Sequence, residues 1–93
     1  MGNLLHATSE ANKANIYKDS PFEYSWAINT RTKEATVRET EWIYYNCLYD
    51  YKVIKREYPC GSVENAIEFL YAIGRGEKEK FMTENNIKGD IVE

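Results

Sequence analysis

The most regular pattern in the chain is a strict alternation of apolar and polar positions that follows the Ser20-Pro21 pair. Large apolar residues occupy every second position there, namely Phe22, Tyr24, Trp26 and Ile28. A period of two predicts a half-buried β-strand, since successive side chains of a strand point to opposite faces. A short polar segment follows, and apolar and polar residues alternate again from Ala35 to Arg38, which predicts a hairpin.

The register of this hairpin follows from the apolar residues of its two strands. We predict that Asn29 pairs with Glu34, because this pairing places the apolar residues of both strands on one face. The residues brought together in this way are Trp26, Ile28, Ala35 and Val37. A slip of one residue would divide them between the two faces.

Residues 41 to 58 are harder to assign, because two periods compete. Some of their apolar residues recur at helical spacing, namely Tyr44, Cys47, Leu48, Tyr51 and Tyr58. The segment is nevertheless rich in Trp, Ile, Tyr and Val, which favour a pleated surface. Periodicity leaves both alternatives open, and we predict two strands, about 42 to 48 and 51 to 58, with a break near Asp50 and an end at Pro59.

A helix is predicted over 63 to 73, with Ser62 as N-cap and Gly74 as the left-handed residue that closes it. Its apolar stripe consists of Val63, Ala66, Ile67, Leu70 and Ile73. A second, peripheral helix over about 76 to 86 has only Phe81 and Met82 as anchors. Residues 1 to 20 are predicted to be loosely ordered or to form a short helix capped by Ser9.

These elements predict one α+β domain over residues 21 to 93. About four antiparallel strands form a meander, and the helix at 63 to 73 covers one face of it in two layers. The predicted core consists of Trp26, Ile28, Val37, Ile43, Tyr45, Val53, Ile67 and Leu70.

Composition and charge narrow the functional classes. A net charge of -3 argues against binding to double-stranded nucleic acid. No apolar run approaches the length of a membrane span, so no membrane association is expected. Only two cysteines occur and they lack paired spacing, which predicts reduced thiols in the cytoplasm of a cell or of an infected host.

Residues that could carry catalysis or hold a metal are scattered. Zinc prefers about four N or S ligands at close spacing, whereas the chain offers His6, Cys47 and Cys60 far apart. Cys60 precedes a predicted helix N-terminus, where a thiol can be activated, but the turn Pro59-Cys60-Gly61 favours a small buried filler. We therefore predict no metal, no cofactor and no catalytic residue.

Aromatic residues are the one strong deviation in composition. They make up 14% of the chain, with eight Tyr and two Trp, which is more than a small core can bury, and both residue types favour interfaces. If strand parity continues from Val37 into the next strand, Arg38, Trp42 and Tyr44 share the face opposite the core. We predict these three residues and Arg56 as a binding site. The structural alternative is that they pack beneath the N-terminal segment or beneath the twisted strand itself.

The sequence thus predicts a small non-enzymatic protein that binds another protein, as inhibitor or adaptor, or that forms a homo-oligomer. The alternative is a protein that sequesters a nucleotide-like ligand by aromatic stacking and arginine–phosphate contacts. In its short length and its Tyr, Lys and Glu content, the chain is similar to accessory proteins of phages and mobile elements, although no motif assigns it to a family.

Overall fold

A computed structural model describes residues 3–17, 22–45 and 50–92, with side chains over 3–13, 22–42 and 53–92. Its elements, in chain order, are α1 (Leu4–Tyr17), β1 (Phe22–Asn29), β2 (Glu34–Tyr45), β3 (Asp50–Pro59), α2 (Val63–Gly74), α3 (Lys78–Glu84) and β4 (Asp90–Ile91). The strands form one open antiparallel sheet in the order β1-β2-β3-β4. The predicted α+β class and the four-stranded antiparallel sheet are therefore confirmed.

The predicted hairpin register is confirmed. Asn29 pairs with Glu34, and the apolar pairs Trp26–Val37 and Ile28–Ala35 follow from it. The boundaries of the next strands differ from the prediction. The predicted second and third strands are one continuous strand, β2, because strand pairing continues through Glu39, Thr40 and Glu41 although the apolar–polar alternation stops there. The predicted fourth strand is β3, and the observed fourth strand is β4 near the C-terminus.

The ambiguous segment from 41 to 58 is sheet wherever the structure describes it. Residues 41–45 extend β2, and β3 begins at Asp50, where the break was predicted. All ten residues of β3 pair with β2, so long-range pairing favours the pleated conformation over the helical stripe. Cys47 and Leu48 lie outside the described residues.

Helix α2 begins as predicted, because the Ser62 hydroxyl accepts a hydrogen bond from the Asn65 amide at 3.1 Å. The predicted role of Gly74 is wrong: Gly74 lies inside the helix, and Gly76 has the left-handed φ of 78°. A Cβ atom on Gly74 would lie 3.3 Å from the Glu10 carbonyl oxygen. Glycine at this position therefore allows the backbones of α1 and α2 to approach closely.

Helix α1 begins at Leu4, five residues before the predicted cap Ser9, and it packs against α2. Leu4, Ala7 and Ala11 are buried in the same cluster as the α2 residues. Their spacing of three and four residues matches the helical period, and the small alanines suit close packing against the neighbouring helix.

The core differs from the predicted one at two positions. Val37 and Leu70 are fully buried, and Ile28 and Ile67 pack against them while partly buried. Trp26 is 38% exposed, so its assignment to the core is wrong, since it lies on the outer strand of the sheet. Val53 pairs with Trp42 and lies on the other face. The side chains of the two remaining predicted core residues, Ile43 and Tyr45, lie outside the described part of the chain.

The sheet has two faces, the packed face and the second face. The packed face contributes Tyr24, Ala35, Val37, Glu39 and Tyr58, all of them buried. The second face consists of the alternate positions, among them Ser25, Arg38, Thr40, Trp42, Val53, Lys55 and Glu57. Its side chains are partly or fully exposed.

No helix in the described ranges is long and apolar enough to cross a membrane.

Candidate functional site

Strand pairing brings two of the predicted site residues to the second face. Arg38 lies between Ser25 of β1 and Glu57 of β3, and Trp42 lies opposite Val53. Tyr44 continues the same strand at the same parity and pairs with Tyr51, but its side chain lies outside the described residues. The parity that the sequence suggested for Arg38 and Trp42 is therefore the one observed.

Two adjoining grooves cross this second face. The first has a volume of about 510 Å³ and is lined by Trp42, Val53 and Lys55, among others. The second, of about 360 Å³, is lined by Arg38, Lys55 and Glu57, among others. Because Lys55 borders both grooves, they form one shallow surface along β2 and β3.

The charges on this surface are mixed. Arg38 and Lys55 are exposed cations, but the neighbouring positions of the same face hold Glu23 and Glu57. Arg38 lies directly opposite Glu57 on the adjacent strand. A surface of alternating charge suits a partner that has both signs of charge better than it suits a polyanion.

The fourth predicted site residue, Arg56, lines the second groove together with Arg38, but its guanidinium bonds elsewhere. It pairs with Glu39 across the β2–β3 ladder and therefore faces the packed side. Its guanidinium donates to the Glu41 carboxylate at 2.8 Å and to Glu39 at 3.2 Å. Arg56 therefore borders the groove at Arg38 but not the groove at Trp42, and its charged group is held by two glutamates.

Arg56 belongs to a polar cluster centred on Glu39, whose side chain is 1% exposed. The Glu39 carboxylate accepts hydrogen bonds from Lys78 Nζ at 2.7 Å, Tyr24 Oη at 2.8 Å and Tyr58 Oη at 3.1 Å. Lys78 Nζ also lies 5.0 Å from the centre of the Tyr58 ring, within the range of a cation–π contact. Strands β1, β2 and β3 and the first residue of α3 therefore meet at one carboxylate.

The pKa values in this cluster show that its charges are stabilised. Burial opposes ionisation of Glu39 and is the largest single influence on it, yet hydrogen bonds from Lys78 and Tyr24 together bring its pKa below the ordinary 4.5. Burial likewise opposes the charge on Lys78, but its hydrogen bonds to Glu39 and Tyr58 raise its pKa above 10.5. Both groups are therefore ionised at neutral pH.

These shifts predict how stability depends on pH. The lowered pKa of Glu39 stabilises the fold above pH 4.5, and that contribution is lost as the pH falls through the folded value. The raised pKa of Lys78 stabilises the fold below pH 10.5 and is lost as the pH rises through its folded value. Urea unfolding should show that wild type has a larger free energy of unfolding than Glu39→Gln at neutral pH, and that this difference becomes smaller at low and at high pH. A difference independent of pH would contradict this.

The Glu39 cluster has the features of a structural element. Its carboxylate is shielded from solvent, and protein donors occupy both of its oxygens. In the described part of the chain, no group of His, Cys, Asp or Glu side chains is arranged to hold a metal ion. Glu39 was not among the predicted site residues; the available signal was a glutamate at an inward-facing strand position two residues after Val37.

Cys60 is buried, and burial raises the pKa of its thiol to about 11. Its Sγ donates to the Tyr58 carbonyl at 3.2 Å. Because the thiolate is the reactive form, we expect iodoacetamide at pH 7 to modify Cys60 in the native protein far more slowly than in urea. Peptide mass spectrometry measures both rates. Equal rates would show that the native thiol is as accessible and reactive as in the unfolded chain, and a faster native rate would show activation.

No family model, curated protein or solved structure matches this chain. The functional proposal therefore stands on the second face and on the chemistry of its residues.

Proposed function

We propose that this chain is a small non-enzymatic protein that binds another protein through the second face of its sheet, as an inhibitor or adaptor. The observation that supports this most is the grooved surface shared by Arg38, Trp42 and Lys55. Trp and Arg are the residue types that most often dominate binding energy at protein interfaces. A partly buried ring beside exposed charges also matches the apolar centre and polar rim of such interfaces.

A nucleotide-like ligand is the second candidate, and the groove of about 510 Å³ beside Trp42 favours it. Such a ligand would stack on the indole and place its phosphate near Lys55 or Arg38. The charge pattern favours a protein, because Glu23 and Glu57 share the face with these cations and would repel a phosphate group.

The same proposal places the protein in the cytoplasm of a cell or of an infected host, as a small accessory protein. The reduced, buried thiol of Cys60 suits that compartment.

Native mass spectrometry of the protein purified from its source tests these alternatives together. A protein partner at fixed stoichiometry is the expected result. A retained phosphate-bearing small molecule would favour the second candidate instead. A chain that carries neither, at concentrations where weak complexes survive, would contradict both.

A further inference from the structure

A side chain of α1 occupies part of the outer edge of β1. The Asn12 amide oxygen accepts from the Tyr24 N–H at 2.7 Å, and its amide nitrogen donates to the Tyr24 carbonyl at 3.0 Å. The Asn12 side chain therefore satisfies the two groups that a neighbouring strand would use. It closes this edge at Tyr24.

This contact also shows which backbone groups of β1 point away from β2. In an antiparallel ladder, residues whose backbone N–H and C=O groups point away from the partner strand alternate with residues whose groups bond to it. Since both backbone groups of Tyr24 point outward, those of Trp26 and Ile28 do so as well. Among the described residues, no helix, strand or side chain pairs with the outward groups of Trp26 and Ile28.

Helix α1 contacts β1, but beyond Tyr24 the strand itself lacks the sequence features that usually prevent strand pairing. Exposed edges are commonly protected by charged side chains, proline or bulges. Residues 25 to 29, Ser-Trp-Ala-Ile-Asn, contain no charge and no proline, and their pairing with β2 is continuous. Trp26 is 38% exposed on this strand, and Ile28 beside it is only partly buried.

We propose that this edge pairs with the same edge of a second copy of the chain, in an antiparallel register centred on Ala27. Trp26 of each copy then lies opposite Ile28 of the other, and the outward groups of both residues are satisfied by about four backbone hydrogen bonds. The exposed indole is covered by the partner's isoleucine. The two sheets join into one continuous sheet.

The partner at this edge is inferred to be a second copy of the chain, because the edge is complementary to itself. In this register each apolar residue of the open segment lies opposite an apolar residue, and Ser25 lies opposite Asn29, so no charge is buried. Asn12 prevents the pairing from extending across Tyr24, which limits it to this short segment. An interface of a few residues from each strand lies at the small end of protein interfaces, so the dimer is expected to be weak.

Sedimentation equilibrium of the full chain over a wide concentration series tests this dimer. The wild-type mass should rise from 10.9 kDa towards twice that value. Ala27→Lys would place two like charges across the two-fold axis and should keep the mass at that of one chain. Thr36→Lys is the matched control, because Thr36 pairs with Ala27 on the same face but lies on the inner strand β2. It should dimerise as the wild type does.

A covalent test covers the case in which Ala27→Lys fails to fold. Ala27→Cys places two thiols on directly opposite residues of a non-hydrogen-bonded pair, where the Cα atoms lie about 4.5 Å apart, within the range for a disulfide. Mild oxidation should give a dimer that reductant reverses. Thr36→Cys and the wild type should give none. The proposal would be overturned if the wild type stayed monomeric at every concentration. It would also be overturned if Ala27→Cys formed crosslinked dimers no more readily than Thr36→Cys.

Discussion

Replacing Glu39 by Ala is expected to lower the free energy of unfolding by about 3–5 kcal/mol. The carboxylate accepts from Lys78, Arg56 and two tyrosine hydroxyls in a site that is closed to solvent. Its removal leaves the Lys78 ammonium partly buried without its nearest anion, and an uncompensated buried charge is among the most costly defects in a folded protein. Urea unfolding followed by circular dichroism measures the loss.

Glu41→Ala is the matched control for this prediction. Glu41 also binds Arg56, at 2.8 Å, but its side chain is 18% exposed and it bonds to fewer partners. Its removal should cost about 1 kcal/mol or less. If Glu39→Ala cost no more than Glu41→Ala, the buried cluster would not be a major source of stability.

Phe69→Ala is expected to cost about 3–5 kcal/mol as well, through loss of packing. Phe69 lies on α2, and its ring is fully buried. It contacts the Tyr58 ring edge-on at a centroid distance of 5.4 Å and stacks on Phe81 at 5.5 Å. One ring therefore joins α2 to β3 and α3, and a cavity there cannot close without moving both. Thermal and urea unfolding should both show the loss.

Ile67→Ala on the same helix serves for comparison, since Ile67 is only partly buried at the edge of the cluster. Its loss should be below about 2 kcal/mol, because a partly exposed site leaves a smaller cavity. A larger loss of stability at Ile67 than at Phe69 would contradict this account, because it would place the centre of the core on the predicted apolar stripe, which includes Ile67 but not Phe69.

The contrast between Phe69 and Ile67 shows what the sequence could and could not predict. The register of the 22–38 hairpin was predictable because a slip of one residue would divide the apolar residues of the two strands between the faces. The α2 stripe was predictable as a helix, but Phe69 fell outside it. The position of α3, which brings Phe81 against Phe69, depends on contacts that no local pattern contains.

The Glu39 cluster was unpredictable for a similar reason. A glutamate at an inward strand position is unfavourable unless its partners are known, and here Lys78 lies 39 residues further along the chain. The same long-range geometry turns the Arg56 guanidinium to Glu39, although Arg56 also lines one groove with Arg38, as the sequence prediction grouped them. In contrast, the sequence alone placed Arg38 and Trp42 on one face, because residues separated by an even number of positions in one strand share a face. The continuous strand β2 has this arrangement.

The central claim, that the second face binds a partner, is tested most directly by the double substitution Arg38→Ala and Trp42→Ala. Purified from its source, this variant should lose the partner that wild type retains in native mass spectrometry. Its free energy of unfolding should fall by no more than about 2 kcal/mol, because neither residue lies in the buried cluster. Trp26→Ala with Arg31→Ala removes the same residue types outside the second-face grooves; it should keep this partner and weaken only the self-association through the β1 edge. Retention of the partner by the Arg38 and Trp42 variant, or its unfolding without a separable loss of binding, would contradict the account.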